Sequence, residues 1–304
     1  MSAKPSQRVS ALTHQAKIFL NGGAGIKPIV PIDPIALEEK AQKHMTSQSA
    51  AYILGGAGKE ETIRANRHGF ERWQIVPRML RNVETRDTAI HFLGSKIHFP
   101  LFLAPIGVLE MVHRKADLAV AAAAAETGTP MIISNQASFS METIAKVLGD
   151  SPKLFQLYWS KSNELVESLV RRVEDIDAQA IVLTLDTTML GWRNRDLTEA
   201  YLPFLRGEGI AQYTSDPVFQ KLAAHFQPAA SAPKPPVTLA TLGMLLRQAH
   251  NVPGSFLRNL TSGYALRSVR AFIHYFVRPS LNWENLAFLQ DLTSLPIILK
   301  GKAQ

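Results

Sequence analysis

Polar side chains able to bind or polarise a ligand follow several apolar runs of this sequence, at the point where each run ends. Thr184, Asp186 and Arg193 follow or close the run AIVLTLD. The other members of this polar set close three further runs: they are Ser134, Asn135, Gln156, Tyr158 and Lys300. The carboxyl ends of parallel strands meet at one edge of a sheet, where α/β proteins bind their ligands. The sequence therefore predicts a ligand site at that edge.

Each of these residues also has an ordinary structural explanation. In that explanation the side chain of Gln156 or Thr184 only satisfies backbone polar groups, the ammonium group of Lys300 is solvated, and Asp186 caps a turn. The functional interpretation depends on the agreement between successive strands rather than on any single residue.

Apolar runs alternate with helix-like segments from Phe99 onward. Five strands are predicted, in FPLFLAPIG, PMIISNQ, KLFQLYW, AIVLTLD and PIILKG. Helices are predicted between them over residues 117–127, 141–148, 163–177 and 283–292. This alternation predicts right-handed βαβ units and a parallel sheet, so the fold class is α/β.

The first 98 residues have a different pattern and are predicted to form an N-terminal helical cap with a hairpin region, separate from residues 99–304. Asp33-Pro34 is typical of a helix start, with Asp33 as N-cap and Pro34 in the first turn. A second helix should end at Gly55-Gly56. A third is predicted over 59–68, followed by an irregular or hairpin-like stretch over 70–100.

A long insertion separates the fourth predicted strand from the fifth, over about residues 194–279. Short helices are predicted at 217–225 and 239–249, and the Pro/Ala/Ser-rich QPAASAPKPPVT is predicted to be a mobile surface segment. An insertion after the carboxyl end of a strand is well placed to act as an active-site lid. A disordered loop without function is the alternative.

The composition excludes several classes of protein. At 304 residues and 46% hydrophobic residues, the chain has enough apolar side chains for a substantial core. The formal charge of +8 comes from scattered residues, which favours small anionic molecules over nucleic acid. There is no cysteine and no apolar run of membrane-spanning length, so a cytoplasmic protein without a membrane partner is predicted.

The short motifs of several enzyme classes are also missing from the sequence. It has no His-Glu-x-x-His, no G-x-S-x-G, no P-loop and no G-x-G-x-x-G, and its nine histidines are dispersed. No metal site is therefore predicted. The glycine-dense Gly55–Gly58 follows a predicted helix instead of preceding one, which argues against a phosphate-binding loop there.

Ordered segments along nearly the whole chain resemble one family, the flavin mononucleotide (FMN)-dependent 2-hydroxy acid oxidases and dehydrogenases. The segments are YILGGAG at Tyr52, PRML at Pro77, LAPIG at Leu103, SNQAS at Ser134, FQLYW at Phe155, LTLDT at Leu183, LGWR ending at Arg193, and ILKG at Ile298. The stretch LPFLRGEGIAQYTSDPVF, residues 202–219, is most similar to the lactate 2-monooxygenase subgroup. The resemblance implies a TIM (β/α)8-type barrel with FMN as cofactor, and a small 2-hydroxy acid such as lactate, with O2, as partners.

The resemblance also assigns roles to residues. Those that would line the isoalloxazine ring are Pro105, Ile106, Gly107, Ser134, Asn135, Gln156, Thr184 and Lys300. Lys300 matches a lysine near the flavin N1 and C2 oxygen. Tyr52, Tyr158 and Arg193 match residues that hold the substrate, and Asp186 matches the acid that orients a catalytic histidine. A glycine at position 107 resembles the monooxygenase subgroup, although close packing alone would also explain it.

The resemblance stops at the fifth strand. The family's catalytic histidine, a second substrate arginine and the glycine-containing phosphate loops follow that strand, and His250 and His274 do not match the histidine. The sequence therefore predicts a C-terminally truncated member with about the first five βα units. Such a chain would be inactive, because it lacks its general base and phosphate anchor. The alternative is a non-catalytic homologue or subunit that associates with a full-length partner, and the family also suggests a homo-oligomer.

Overall fold

The computed structural model describes residues 11–228 and 236–301, and the chain divides into two compact units at residue 54. The described part of the first unit contains helices α1 (Ala11–Gly23), α2 (Pro34–Gln42) and α3 (Ser47–Leu54). The carboxylate of Asp33 accepts the backbone N–H of Ala36 at 2.8 Å, so α2 begins as predicted. Helix α3 ends directly before Gly55, also as predicted. The further boundary at residue 98 stays a prediction.

The second unit begins with helix α4 (Glu61–Gly69) and an antiparallel hairpin of β1 (Ile90–Phe92) and β2 (Ser95–Ile97). The hairpin confirms the structure predicted between residues 70 and 100. The ring of Phe92 packs edge-on against that of Phe102, with centroids 4.8 Å apart. The hairpin thereby contributes an aromatic side chain to the core.

Four parallel strands form the main sheet in chain order. They are β3 (Met131–Ile133), β4 (Lys153–Leu157), β5 (Ile181–Thr184) and β6 (Ile297–Lys300). Every residue of β4 and β5 is buried, which confirms the central strand predicted from AIVLTLD. The α/β class with a parallel sheet is therefore correct.

The strand predicted in FPLFLAPIG, the first of the five predicted strands, is wrong in extent. That segment contributes one isolated parallel bridge, between Leu103 and Met131, and no continuous strand. Pro100 and Pro105 flank the bridge, and a proline has no N–H to donate to a neighbouring strand. The ladder therefore cannot extend far on either side of Leu103.

One face of the sheet changes from apolar to polar along the strands. Leu154, Val182 and Ile298 belong to an apolar cluster that also contacts the hairpin. Side chains alternate between faces along a strand, so the residues two positions further on lie on the same face. Those residues are Gln156, Thr184 and Lys300. This face of the sheet is therefore apolar in the middle of the strands and polar at their carboxyl ends.

The described helices of this part of the chain form two sets: those that connect the strands and those of the insertion. Those between the strands are α5 (Ala116–Thr127), α6 (Met141–Leu148), α7 (Asn163–Asp175) and α14 (Glu284–Leu292). The insertion contains α8 (Asn194–Thr198), α9 (Ala211–Thr214), α10 (Pro217–His225), α11 (Leu239–Asn251), α12 (Phe256–Thr261) and α13 (Tyr264–Tyr275). Among the described residues no helix is both long and apolar enough to span a bilayer.

The insertion is folded and is anchored to helix α7 by a buried ion pair. Arg172 of α7 contacts Asp216 Oδ2 at 3.1 Å and donates to the carbonyl oxygen of Gln212 at 2.7 Å. Asp216 also accepts the N–H groups of Val218 and Phe219, which starts α10. The alternative of a disordered insertion is therefore wrong for its described helices. The mobility predicted for QPAASAPKPPVT concerns a segment whose residues 229–235 lie outside the described residues.

Candidate active site

A chain of hydrogen bonds joins three neighbouring strands at the polar edge of the sheet. The hydroxyl of Ser134 donates to Gln156 Oε1 at 3.2 Å, and Gln156 Nε2 donates to Thr184 Oγ1 at 2.9 Å. Each of the three residues is 3% exposed. The strand-end residues predicted to lie together therefore do so, and their polar atoms hold one another in fixed orientations.

A charged pair lies at the end of the next strand. Lys300 Nζ is 3.6 Å from Asp186 Oδ2, and both side chains are partly exposed. Thr187 Oγ1 donates to the other carboxylate oxygen of Asp186 at 3.2 Å. Gly301 follows Lys300 with φ +95°, and a Cβ there would lie 2.6 Å from Asp186 Cγ. Glycine at position 301 is thus what allows the backbone to approach the carboxylate.

Tyr158 lies beside the same carboxylate. Burial raises the pKa of its phenol, hydrogen bonding with Gln156 lowers it, and the nearby charge of Asp186 raises it again. Tyr158 thus lies close to both the hydrogen-bonded chain and the charged pair.

Arg193 lies at the start of α8, where it forms an ion pair with a carboxylate. Its Nε is 2.6 Å from Asp196 Oδ2, and its side chain is 26% exposed. Burial raises the pKa of Asp196, while the charge of Arg193 lowers it. The preceding residue, Trp192, accepts the N–H of Gly58 at 2.8 Å, which ties this loop to the start of the unit. The guanidinium is therefore held in place by its own turn of helix.

The loop after the bridge at Leu103 supplies Pro105, Ile106 and Gly107. Ile106 is 51% exposed. A Cβ added to Gly107 would lie 3.0 Å from Gln136 Cβ, so even an alanine would press on that side chain. Close packing is thus a sufficient reason for glycine at this position, and a role over a flavin face stays a prediction.

The two remaining predicted site residues are Asn135 and Tyr52. Asn135 is 0% exposed, because its Oδ1 accepts the N–H of Tyr158 at 3.2 Å and the hydroxyl of Tyr213 at 2.8 Å. Its role as a contact to a ring stays a prediction. Tyr52 lies in helix α3 of the first unit, and its role as a substrate contact stays a prediction.

The edge of the sheet therefore combines an ammonium group, a carboxylate, a phenol and an ordered chain of hydroxyl and amide groups. The sequence model described as FMN-dependent dehydrogenase matches residues 41–303. The chain belongs to the FMN-dependent dehydrogenase family. The resemblance stated from the motifs is confirmed, as is the α/β architecture that goes with it.

Relatives in this family oxidise hydroxy acids according to their names. The chain is 34% identical to an L-lactate oxidase of Lysinibacillus sphaericus, over 89% of this chain and 61% of that protein. It is 30% identical to the FMN-dependent alpha-hydroxy acid dehydrogenase qulF of Penicillium citrinum, over 95% and 64%, and 29% identical to human 2-hydroxyacid oxidase 1, over 87% and 61%. The chain thus spans somewhat under two thirds of the length of these relatives.

Solved structures give the same result for the fold. The structure of mandelate oxidase with (S)-4-hydroxymandelic acid superposes with a TM-score of 0.65 and 28% sequence identity, over 89% of this chain and 64% of that one. A tyrosine-to-phenylalanine variant of mandelate oxidase was solved with a C4a-OH-FMN adduct and superposes with a TM-score of 0.61 at 26% identity, over 88% of this chain and 62% of that one. This chain therefore shares the α/β fold of the part of these oxidases that it covers.

The donor set at the edge of the sheet fits the ring of a flavin. The pyrimidine side of an isoalloxazine presents carbonyl oxygens and an N–H, which pair with hydroxyl, amide and ammonium groups of the kind that Thr184, Gln156 and Lys300 provide. Lys300 and Asp186 are both partly exposed, so neither charge is buried at this edge. The residues present are therefore suitable for FMN.

Sequence reasoning missed a buried glutamine that holds this edge in place. Gln212 is 0% exposed; its Nε2 donates to the carbonyl oxygens of Ser134 and Phe139, and its Oε1 accepts the N–H of Met141 at 2.9 Å. It lies within residues 202–219, the stretch whose similarity to one subgroup was noticed, and that similarity was the available signal. The amide fixes the loop that carries Ser134.

A partly buried carboxyl group, that of Glu110, makes the stability of this region depend on pH. Glu110 accepts the N–H of Gly209 from the insertion at 2.6 Å, and burial raises its pKa from 4.5 to about 7. The folded chain then binds a proton that the unfolded chain releases at about pH 4.5. Protonation of Glu110 therefore stabilises the folded chain. This contribution to the free energy of unfolding is fully present below about pH 4.5 and is lost as pH rises through about 7; it amounts to on the order of 3 kcal/mol.

We expect Glu110→Gln to keep the acceptor for Gly209 and to remove that pH dependence. Urea unfolding at pH 5 and pH 8 measures it: the variant should gain stability relative to the parent at pH 8. Glu167→Gln, at an exposed ion pair with Arg171, should follow the parent at both values. Because burial also raises the pKa of Asp117, some pH dependence should persist in the variant. Identical pH dependence in Glu110→Gln and the parent would contradict the prediction.

Proposed function

We propose that this chain carries the flavin-ring and substrate sites for oxidation of a small L-2-hydroxy acid, with L-lactate as substrate. We further propose the outcome of lactate 2-monooxygenase, in which O2 is consumed and the acid is oxidatively decarboxylated. The observation that carries the proposal is the row of Ser134, Gln156 and Thr184, continued by Lys300 at the same edge of the sheet. We also propose that this sheet is part of a (β/α)8 barrel, as in the TIM-barrel family.

Bound FMN would supply the hydride acceptor. Thr184 and Gln156 would hold the polar edge of the ring, and their mutual hydrogen bond sets the direction of both groups before a ligand arrives. Lys300 would place positive charge near N1 and the C2 oxygen. The loop of Pro105, Ile106 and Gly107 would lie against the ring face, since Ile106 offers an exposed apolar side chain there.

The substrate would be held by its carboxylate and hydroxyl group. Arg193 is suited to the carboxylate, because a guanidinium can donate two parallel hydrogen bonds to it. Tyr158 would contact the hydroxyl group from its position beside Asp186, and Tyr52 is proposed as a second phenol for the carboxylate. These groups bind and orient the acid so that the hydrogen on its C2 faces the acceptor.

Asp186 would orient and charge a general base, but none of the nine histidines fills that role. All nine lie within the described residues, and none of them is within the 4.0 Å ion-pair distance of Asp186, whose partner is Lys300. A missing general base typically slows a reaction by about 10²- to 10⁴-fold. The proposal is therefore that the 304-residue polypeptide turns over lactate slowly at best.

The purified polypeptide tests this proposal directly. FMN should bind weakly, through its ring alone, with quenching of its fluorescence, and Lys300→Met should weaken that binding about tenfold, since one charge-assisted contact is lost. Lys153→Met is the matched control, because Lys153 lies at the opposite end of β4 and donates to the carbonyl oxygen of Gly149. Equal FMN affinity in the parent and in Lys300→Met, or no detectable binding to the folded parent even at a large excess of FMN, would refute the proposed site.

Oxygen uptake and product analysis distinguish the finer alternatives. Lactate-dependent uptake should be at least about 10²-fold slower than that of the Lysinibacillus L-lactate oxidase assayed in parallel. Acetate and carbon dioxide as products would support the monooxygenase outcome, and pyruvate with peroxide would reject it. Complete absence of uptake in a chain that binds FMN would favour the non-catalytic alternative.

A further inference from the structure

A buried tyrosine of the insertion reaches the edge of the sheet. Tyr213, in α9, is 0% exposed, and its hydroxyl donates to Asn135 Oδ1 at 2.8 Å. Its ring packs edge-on against Phe219 and Phe272, with centroids 5.6 Å and 4.8 Å away. The hydroxyl group is therefore held in place by the aromatic core of the insertion.

The same oxygen of Asn135 accepts a second hydrogen bond, from the backbone N–H of Tyr158 at 3.2 Å. Asn135 follows β3 and Tyr158 follows β4, so this amide joins two neighbouring strand ends. Because the backbone N–H of Tyr158 can only donate, Oδ1 must face it. The Nδ2 group then lies buried without a hydrogen-bond partner in the described part of the chain, an arrangement that is costly unless Oδ1 is well satisfied.

We propose that Tyr213 is a positioning residue for Tyr158. Its hydroxyl fixes the side-chain amide of Asn135, and that amide fixes the backbone from which the phenol of Tyr158 extends beside Asp186. The inference rests on the proposed function in one respect only, namely that Tyr158 contacts the substrate. At this point the insertion then holds a substrate residue in place.

Hydrogen exchange of the backbone amides tests the clamp without requiring activity. In Tyr213→Phe the amide of Tyr158 should exchange about fivefold faster, because one of the two hydrogen bonds that hold its acceptor is lost. Peptides covering 203–225 and 264–276 should stay within about twofold of the parent, since the phenyl ring still fills the aromatic core. Tyr275→Phe is the matched control, because its ring packs on Phe226 and His274 within the same insertion.

Asn135→Ala tests the same link without Tyr213→Phe, and the two substitutions together complete a double-mutant cycle. Asn135→Ala removes the shared acceptor and should speed exchange at Tyr158 at least as much as Tyr213→Phe does. Adding Tyr213→Phe to it should then have no further effect at that amide. Faster exchange confined to the insertion, or additive effects of the two substitutions at Tyr158, would overturn the proposal.

Pyruvate, as an analogue with the same carboxylate, separates this inference from the proposed function. If the parent chain binds pyruvate by calorimetry, Tyr213→Phe should raise the dissociation constant several-fold, and Tyr275→Phe should leave it unchanged. If the parent does not bind pyruvate but the Tyr158 amide still responds to Tyr213→Phe, the substrate site is refuted and the clamp stands. An unchanged dissociation constant in a Tyr213→Phe variant that loses protection at Tyr158 would refute the link to binding.

Discussion

Arg172→Ala is expected to lower the free energy of unfolding by about 3–5 kcal/mol, the largest stability effect in this protein. The Arg172 side chain is 12% exposed, and its guanidinium contacts Glu142 Oε1 at 2.7 Å and Asp216 Oδ2 at 3.1 Å. It also donates to the carbonyl oxygen of Gln212 and to Ser215 Oγ. Alanine would leave the fully buried carboxylate of Asp216 without its cation, which is the costly part of breaking such a pair.

The neighbouring arginine provides a control at the same helix. Arg171 pairs with Glu167 on an exposed surface, so Arg171→Ala should change stability by less than about 1 kcal/mol. Arg172→Lys should recover little, since an ammonium group cannot reproduce the several directed contacts of a guanidinium. Urea unfolding followed by circular dichroism measures all three variants. Equal losses for Arg171→Ala and Arg172→Ala would contradict the assigned role of the buried pair.

Much of the fold could be predicted because its signals are local. Asp33-Pro34 starts a helix, Met141–Leu148 and Pro217–His225 form helices with the predicted bounds, and the apolar run at Ile181 forms a buried strand. The positions of Gln156 and Thr184 at the ends of successive predicted strands were also enough to place them at one edge of the sheet. Each of these features depends on a few consecutive residues.

The parts that could not be predicted depend on contacts between distant residues. The hydroxyl of Tyr213 meets Asn135 across 78 positions, and Arg172 meets Asp216 across 44. No periodicity reports such a pair, because it arises only when the insertion folds back on the sheet. For the same reason the resemblance of SNQAS assigned Asn135 to a ring, while the structure uses its side chain to join the insertion to β4.

Arg193→Met is expected to weaken binding of pyruvate and L-lactate by about 10²-fold, the largest effect on ligand binding. A charge-assisted pair with a carboxylate typically contributes about 1.5–3 kcal/mol, and a methionine keeps the length of the side chain without its donors. Arg193→Lys should give an intermediate affinity, because the charge remains and the paired donors are lost.

Arg195→Met is the matched control: this arginine lies two residues further on and pairs with Glu60 at 2.6 Å. Calorimetric titration measures all four proteins, with unfolding curves to confirm that Asp196 without its partner has not unfolded the segment. Equal pyruvate affinity in the parent and in Arg193→Met would place the substrate carboxylate elsewhere, because no fixed guanidinium would then be needed to bind it.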